Sequence, residues 1–139
     1  MNINIHSIIV KDNQYFVIKK KYKGRVRYIF SKVPDKEEKN AIATITCSYP
    51  DVEDFARRLN FKMNGNIFVT GSRDAFLRLM LFTAVRRSIR DERKAEKLAE
   101  IVYDLPYFDL VFWIDKIRYK KINKVARAFV MVYDIWMIN

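Results

Sequence analysis

The stretch Lys19-Lys20-Lys21-Tyr22-Lys23-Gly24-Arg25-Val26-Arg27-Tyr28-Ile29-Phe30-Ser31-Lys32 holds seven bases and no acid, with aromatic rings interleaved. Lys23-Gly24 reads as a turn, which makes the stretch a β-hairpin whose alternate side chains share a face. On such a face cations line phosphates while a ring stacks on a base, and each stacked base contributes about 1–3 kcal/mol with little regard to sequence. The phosphate contacts expected here are Lys19, Lys20, Lys21, Lys23, Arg25, Arg27 and Lys32. The stacking residue is Tyr22, joined by Tyr28 or Phe30 if these face outward. The competing reading makes Tyr28 and Phe30 core, because rings that alternate with charges tend to face inward, and makes the lysines a solvated guard of the sheet edge. Against that reading stands the repulsion of seven like charges with no partner.

Two more basic clusters occur. Arg86 and Arg87, with Arg90, Arg93 and Lys94, form one cluster, and Asp91, Glu92 and Glu96 lie within three or four residues of most of these bases, the spacing of an ordinary salt-bridged helix surface. Arg118, Lys120, Lys121, Lys124 and Arg127 have no acid among them and are candidates to extend a binding groove.

Catalytic constellations are harder to assemble. One His (His6) and one Cys (Cys47) cannot build a zinc site, and no serine is marked as a partner for His6, which reads as an ordinary strand residue. Asp51, Glu53 and Asp54 are adjacent carboxylates, but the positive end of a helix dipole explains them more simply than a metal does. Gly71-Ser72-Arg73 lacks the glycines and lysine of a P-loop. The expectation is a binding protein and not an enzyme, with no cofactor and no metal.

The composition points the same way. The 139 residues carry 27 Lys and Arg against 16 Asp and Glu, a net charge of +11. Such a balance attracts polyanions, nucleic acid first and anionic membrane second, although charge can also serve solubility alone. Residues 1–48 hold ten bases and four acids, so the excess is concentrated near the hairpin. No run of eighteen apolar residues exists and the N-terminus has no signal-peptide layout, so a cytoplasmic protein without a membrane span is expected. The lone cysteine fits a reducing compartment. Abundant Lys, Arg, Glu and Ile with a single Gln lean towards a thermophile, against which nine Asn residues count.

These residues need elements to position them. Ile5–Val10 is a β-branched run, Asp12-Asn13 a turn, and Gln14–Lys21, Arg25–Ser31 and Ala41–Cys47 complete an antiparallel meander around the charged loop Pro34–Asn40. Ser48-Tyr49-Pro50-Asp51 starts a helix with Ser48 as capping hydroxyl and Val52, Phe55, Ala56 and Leu59 as its stripe. Asn64-Gly65 turns into a strand, Asn66–Thr70. Gly71-Ser72 then caps a helix running from Arg73 to about Tyr103, with a bend near Ser88. After Pro106, Tyr107–Tyr119 is apolar and either helix or buried strand. The last helix reaches Ile138 and repeats Ile122, Val125, Phe129, Val132 and Trp136 at heptad-like spacing. That stripe is either core or a subunit interface, and its place at the chain end favours self-association.

A basic antiparallel sheet with helices and an apolar C-terminal segment resembles the archaeal ThermoDBP-related single-stranded nucleic-acid-binding proteins. The likeness is carried by the Lys19–Lys32 hairpin, the strand–helix unit Asn66–Val85 and the tail Val125–Ile138. It implies a non-OB fold that grips single-stranded DNA or RNA through basic and aromatic residues, in an oligomer. The full expectation is one α+β domain over 1–139, with a β-meander packed on helices, a helical C-terminal half and an oligomerising helix over 120–139. It binds single-stranded nucleic acid with little sequence preference. The rival readings are a structural or interaction subunit of a nucleoprotein assembly, a viral one included, and a metal-dependent nuclease.

Overall fold

In the computed structural model, which describes residues 14–34, 38–119 and 121–135, Lys23 and Gly24 both take positive φ, 50° and 76°. Two left-handed residues in succession match the twist of a hairpin. They join β1 (Tyr15–Tyr22) to β2 (Arg25–Ser31), with Tyr22 opposite Arg25 and Phe16 opposite Ser31. β3 (Ala43–Thr46) pairs with the outer side of β2 and completes the expected meander. After α1 (Asp51–Arg58), β4 (Lys62–Asn64) and β5 (Ile67–Thr70) form a second hairpin about the Gly65 turn. β5 pairs antiparallel with β1, so the order is β3-β2-β1-β5-β4. Helices α2 (Arg73–Arg86), α3 (Glu92–Asp104), α4 (Tyr107–Tyr119) and α5 (Ile122–Val132) make up the C-terminal half, and the architecture is α+β. The Ile5–Val10 strand, His6, the Asp12-Asn13 turn, Lys120 and Trp136 lie outside the described residues.

The sheet packs one face on α2. Val17, Tyr28, Phe30, Ile45 and Phe68 point that way and are buried with Phe76, Leu79, Met80 and Phe82 of the helix. Ring contacts fix the seam: Tyr15 and Phe30 meet Phe76 at 4.9 and 5.7 Å, and Phe55 of α1 stacks on Phe82 at 4.3 Å. α2 is buried nearly all round because α1, α3, α4 and α5 cover the sides the sheet leaves open. No helix among the described residues is long and apolar enough to cross a membrane.

Several expectations change. The helix from Arg73 to Tyr103 is two helices, broken at Ser88. Arg86 turns its guanidinium to the Ile89 carbonyl, and Asp91 caps α3 by accepting from the Arg93 and Lys94 amides. Ser48 does not cap α1, whose N-cap is Pro50; its hydroxyl accepts from the Val26 amide of the hairpin at 3.2 Å. Ser72 does cap α2, accepting from the Ala75 amide at 3.1 Å. The ambiguous Tyr107–Tyr119 is helix, and the three residues Lys62–Asn64, too short a run to show alternation, form β4.

The C-terminal stripe is mostly core. Val125, Ala126 and Phe129 are buried, and Trp113 of α4 meets Phe129 at 5.1 Å while donating its indole N–H to the Tyr133 hydroxyl at 3.1 Å. An interface through Phe129 is therefore ruled out: that face is already covered by α4 and α2. The large apolar side chains left exposed here include Phe108 and Phe112 of α4 and Met131 and Val132 of α5.

Candidate nucleic-acid interface

Strand alternation sorts the basic hairpin into two sets. Lys19, Lys21 and Val26 share the face of Tyr28 and Phe30, towards the helices, whereas Lys20, Tyr22, Arg25 and Arg27 share the other. On that second face Ile18 and Ile29, directly paired, are fully buried, so the exposed part of that face lies at the turn end of the hairpin. There Lys20 stands opposite Arg27, Arg27 opposite Thr46, and Tyr22 opposite Arg25. Like charges placed directly across a pair of strands destabilise it, so Lys20 and Arg27 favour any anion that comes between them. Tyr22, Lys23, Arg25, Arg27 and Thr46 line a depression of about 360 Å³, and Tyr22 is 56% exposed. The Lys23 ammonium sits 5.2 Å from the centre of that ring. A single base would find one exposed ring and three cations within a few residues.

Tyr28 and Phe30 have no part in this surface. At 1% and 0% exposure they are core, which removes them from the stacking set. Burial, with Glu53, Cys47 and Asp51 nearby, raises the Tyr28 phenol well above its usual range, so it stays neutral.

Nor is the hairpin without acids once folded. Glu53 of α1 reaches Lys19 at 3.1 Å in a half-buried pair, and Glu38 accepts from Arg27 at 2.7 Å. The first pair takes Lys19 out of the phosphate set. The second is exposed on both sides and holds Arg27 by about 1 kcal/mol or less, so a phosphate can replace Glu38. Lys32 lies at the far end of β2 from the turn, its ammonium 5.4 Å from the centre of the Tyr15 ring. Both acids are 11 to 34 residues away in sequence, so no local pattern could have revealed them.

The other two clusters exchange roles. Arg118 lies in α4, Lys121 caps α5 and Lys124 lies in α5; both helices pack on α2, and none of the three lines the hairpin depression. Arg86, assigned to a helix surface, is 2% exposed: its Nε donates to Asp51 Oδ2 at 2.7 Å and its guanidinium lies 3.7 Å from the centre of the Tyr49 ring. Asp51 and Glu53 thus serve cations from two different elements, Arg86 of α2 and Lys19 of β1. Among the described residues no three of His, Cys, Asp and Glu converge as metal ligands. Comparison with known protein families, with curated proteins and with solved structures finds no significant match to this chain.

Proposed function

We propose that this protein binds single-stranded nucleic acid, with little sequence preference, at the turn end of the β1–β2 hairpin, and acts by binding and not by catalysis. One observation carries the reading: Tyr22, Arg25 and Arg27 project from the same face and, with Lys23 and Thr46, line a depression with an exposed ring. Cations there meet phosphates and Tyr22 stacks on a base, which favours a strand whose bases are unpaired. The likeness to the ThermoDBP-related proteins adds to the proposal through architecture alone. A cytoplasmic location fits the single, buried Cys47 thiol. Fluorescence anisotropy with unrelated single and double strands of DNA and RNA, each at several salt concentrations, tests the proposal. Salt-sensitive binding of every single strand with weaker binding of duplexes is expected. Binding that is absent, or insensitive to salt, overturns it.

The reading as a subunit of a larger nucleoprotein assembly keeps one observation in its favour. Phe108, 83% exposed, and Phe112, 49% exposed, lie one turn apart on α4, and Phe112 shares a groove with Val132 of α5. We place self-association on this surface, moved from Phe129. Light scattering is expected to give a multiple of the chain mass for the parent and a single-chain mass for Phe108→Ser/Phe112→Ser. A parent that is a monomer at all concentrations removes this part.

A further inference from the structure

On the helical side of the molecule the elbow between α2 and α3 and the exposed side of α5 enclose a cleft of about 780 Å³. Its cations come from two regions far apart in sequence: Arg87, Arg90 and Lys94 from the elbow and the first turn of α3, and Arg127 from α5. Among the described residues none of these four takes part in an ion pair, whereas Arg57, Arg58, Arg78 and Arg86 all do. The one acid of the cleft, Asp91, is engaged by the Arg93 and Lys94 amides at 2.8 and 3.2 Å as the cap of α3. Between the cations the walls are apolar, formed by Ile89, Ala126 and Val130.

We propose that this cleft is a nucleotide site, with phosphate on the four cations and the base against Ile89, Ala126 and Val130. Three guanidiniums favour phosphate oxygens, which they meet in bidentate fashion. An inorganic anion would leave the apolar walls in water, and a bare aromatic molecule would leave the cations unused. The volume is in the range of small-molecule pockets, about 300–1,000 Å³. The site shares no residue with the hairpin depression and does not depend on it. The nucleotide is either free or one unit of a bound strand.

Calorimetry with adenosine diphosphate and with pyrophosphate, and anisotropy with a 5′-phosphorylated single strand, test the site on four proteins. These are the parent, Arg90→Ala/Arg127→Ala, Arg25→Ala/Arg27→Ala, and Lys62→Ala/Lys97→Ala, which removes the same charge elsewhere. Arg90 and Arg127 are exposed, and unchanged melting confirms that their variant is folded. Adenosine diphosphate is expected to bind the parent more tightly than pyrophosphate, to lose at least tenfold in Arg90→Ala/Arg127→Ala, and to be unaffected in the other two variants. If only the strand loses affinity in that variant, and not in Lys62→Ala/Lys97→Ala, the occupant is a strand nucleotide. The proposal is overturned if pyrophosphate binds as tightly as the nucleotide, or if Arg90→Ala/Arg127→Ala leaves both ligands unaffected. It is also overturned if the Lys62→Ala/Lys97→Ala control loses as much. A failure of the hairpin reading appears separately, as strand binding insensitive to Arg25→Ala/Arg27→Ala.

Discussion

Arg58 and Arg25 are both exposed arginines on a basic protein, and their surroundings are opposite. Arg58 of α1 grips Glu100 of α3 with two hydrogen bonds, at 2.6 and 3.2 Å, and its guanidinium lies 4.1 Å from the centre of the Tyr103 ring. The same pattern recurs across the helices, where Arg57, Arg78 and Arg86 each meet an aspartate. At the hairpin turn, Lys20, Lys21, Lys23 and Arg25 make no ion pair among the described residues. These four arginines of the helices are thus neutralised from within, whereas the cations of the hairpin turn, like those of the cleft at the α2–α3 elbow, are left to be neutralised from outside. Net charge locates neither; pairing does. Arginines of the first kind stabilise the fold, and those of the second kind are free to bind.

The comparison is broken most severely at Arg86. Arg86→Ala leaves Asp51 partly buried without its cation, and Asp51 Oδ1 already has no partner. A loss of about 3 kcal/mol is expected in urea unfolding, at the low end for a buried pair because Asp51 is only partly covered. Strand affinity below the unfolding transition should be unchanged. A stability loss near zero would mean that Arg86 is not held as described.

The hairpin substitutions are expected to do the reverse. Tyr22→Ala should weaken strand binding by about 1–3 kcal/mol without changing its salt dependence, since stacking releases few ions. Arg25→Ala/Arg27→Ala should lower the log–log salt slope by about 1.4, since each phosphate that the protein neutralises on a single strand accounts for about 0.7. Neither change should move the melting midpoint by more than a few degrees, because Tyr22 and Arg25 are exposed and Arg27 is partly so. Equal binding by parent and double variant across the salt range would reduce the hairpin to a solvated edge.

Smaller effects sharpen the other side. Arg58→Ala should cost about 1 kcal/mol or less, as exposed pairs do, and leave strand binding alone. Acid should act through the same helical carboxylates. The Arg58 guanidinium holds Glu100 below the usual carboxylate range, and the Lys94 and Arg93 amides do the same for Asp91. A depressed folded-state value means the contribution is complete above about pH 4 and is lost as the pH falls through the lowered value. Melting temperature measured from pH 6 to pH 2 should therefore fall mainly below about pH 4, and Asp91→Asn should flatten that fall. An unchanged profile in Asp91→Asn would remove the cap from the account.

Much of the hairpin was legible because its signals are local. Two-residue alternation from Arg25 to Ser31 puts Val26, Tyr28 and Phe30 on one face, and Lys23-Gly24 marks the turn, so register and exposed side follow from neighbouring residues. The turn end of the candidate site could be named from sequence for that reason. Its extent could not. Ile18 and Ile29 are buried on the face where alternation alone places polar residues. Lys32 and the Arg118–Lys124 cluster are separated from it by distances along β2 and through α2 that composition does not encode.

The C-terminal stripe shows where period-based reasoning stops. A repeat of three and four residues establishes that Val125 and Phe129 lie on one apolar face, and the helix is indeed amphipathic. Whether that face meets the same chain or another depends on where α4 returns, and Trp113 settles it by packing on Phe129.

Read alone, the chain already contained the α+β class, the alternating strands, the Ser72 cap, the buried character of α2 and the surplus of positive charge. All of these depend on residues within one turn or one strand of each other. Tertiary structure decided which cations are neutralised: Glu53 for Lys19, Glu38 for Arg27, Asp51 for Arg86. It also carried Arg127 across the chain to Arg87, Arg90 and Lys94. The physical reason is range. Periodicity and capping act over a few bonds, but an ion pair of about 3 Å requires two distant backbones to be brought together, and only the packed core does that.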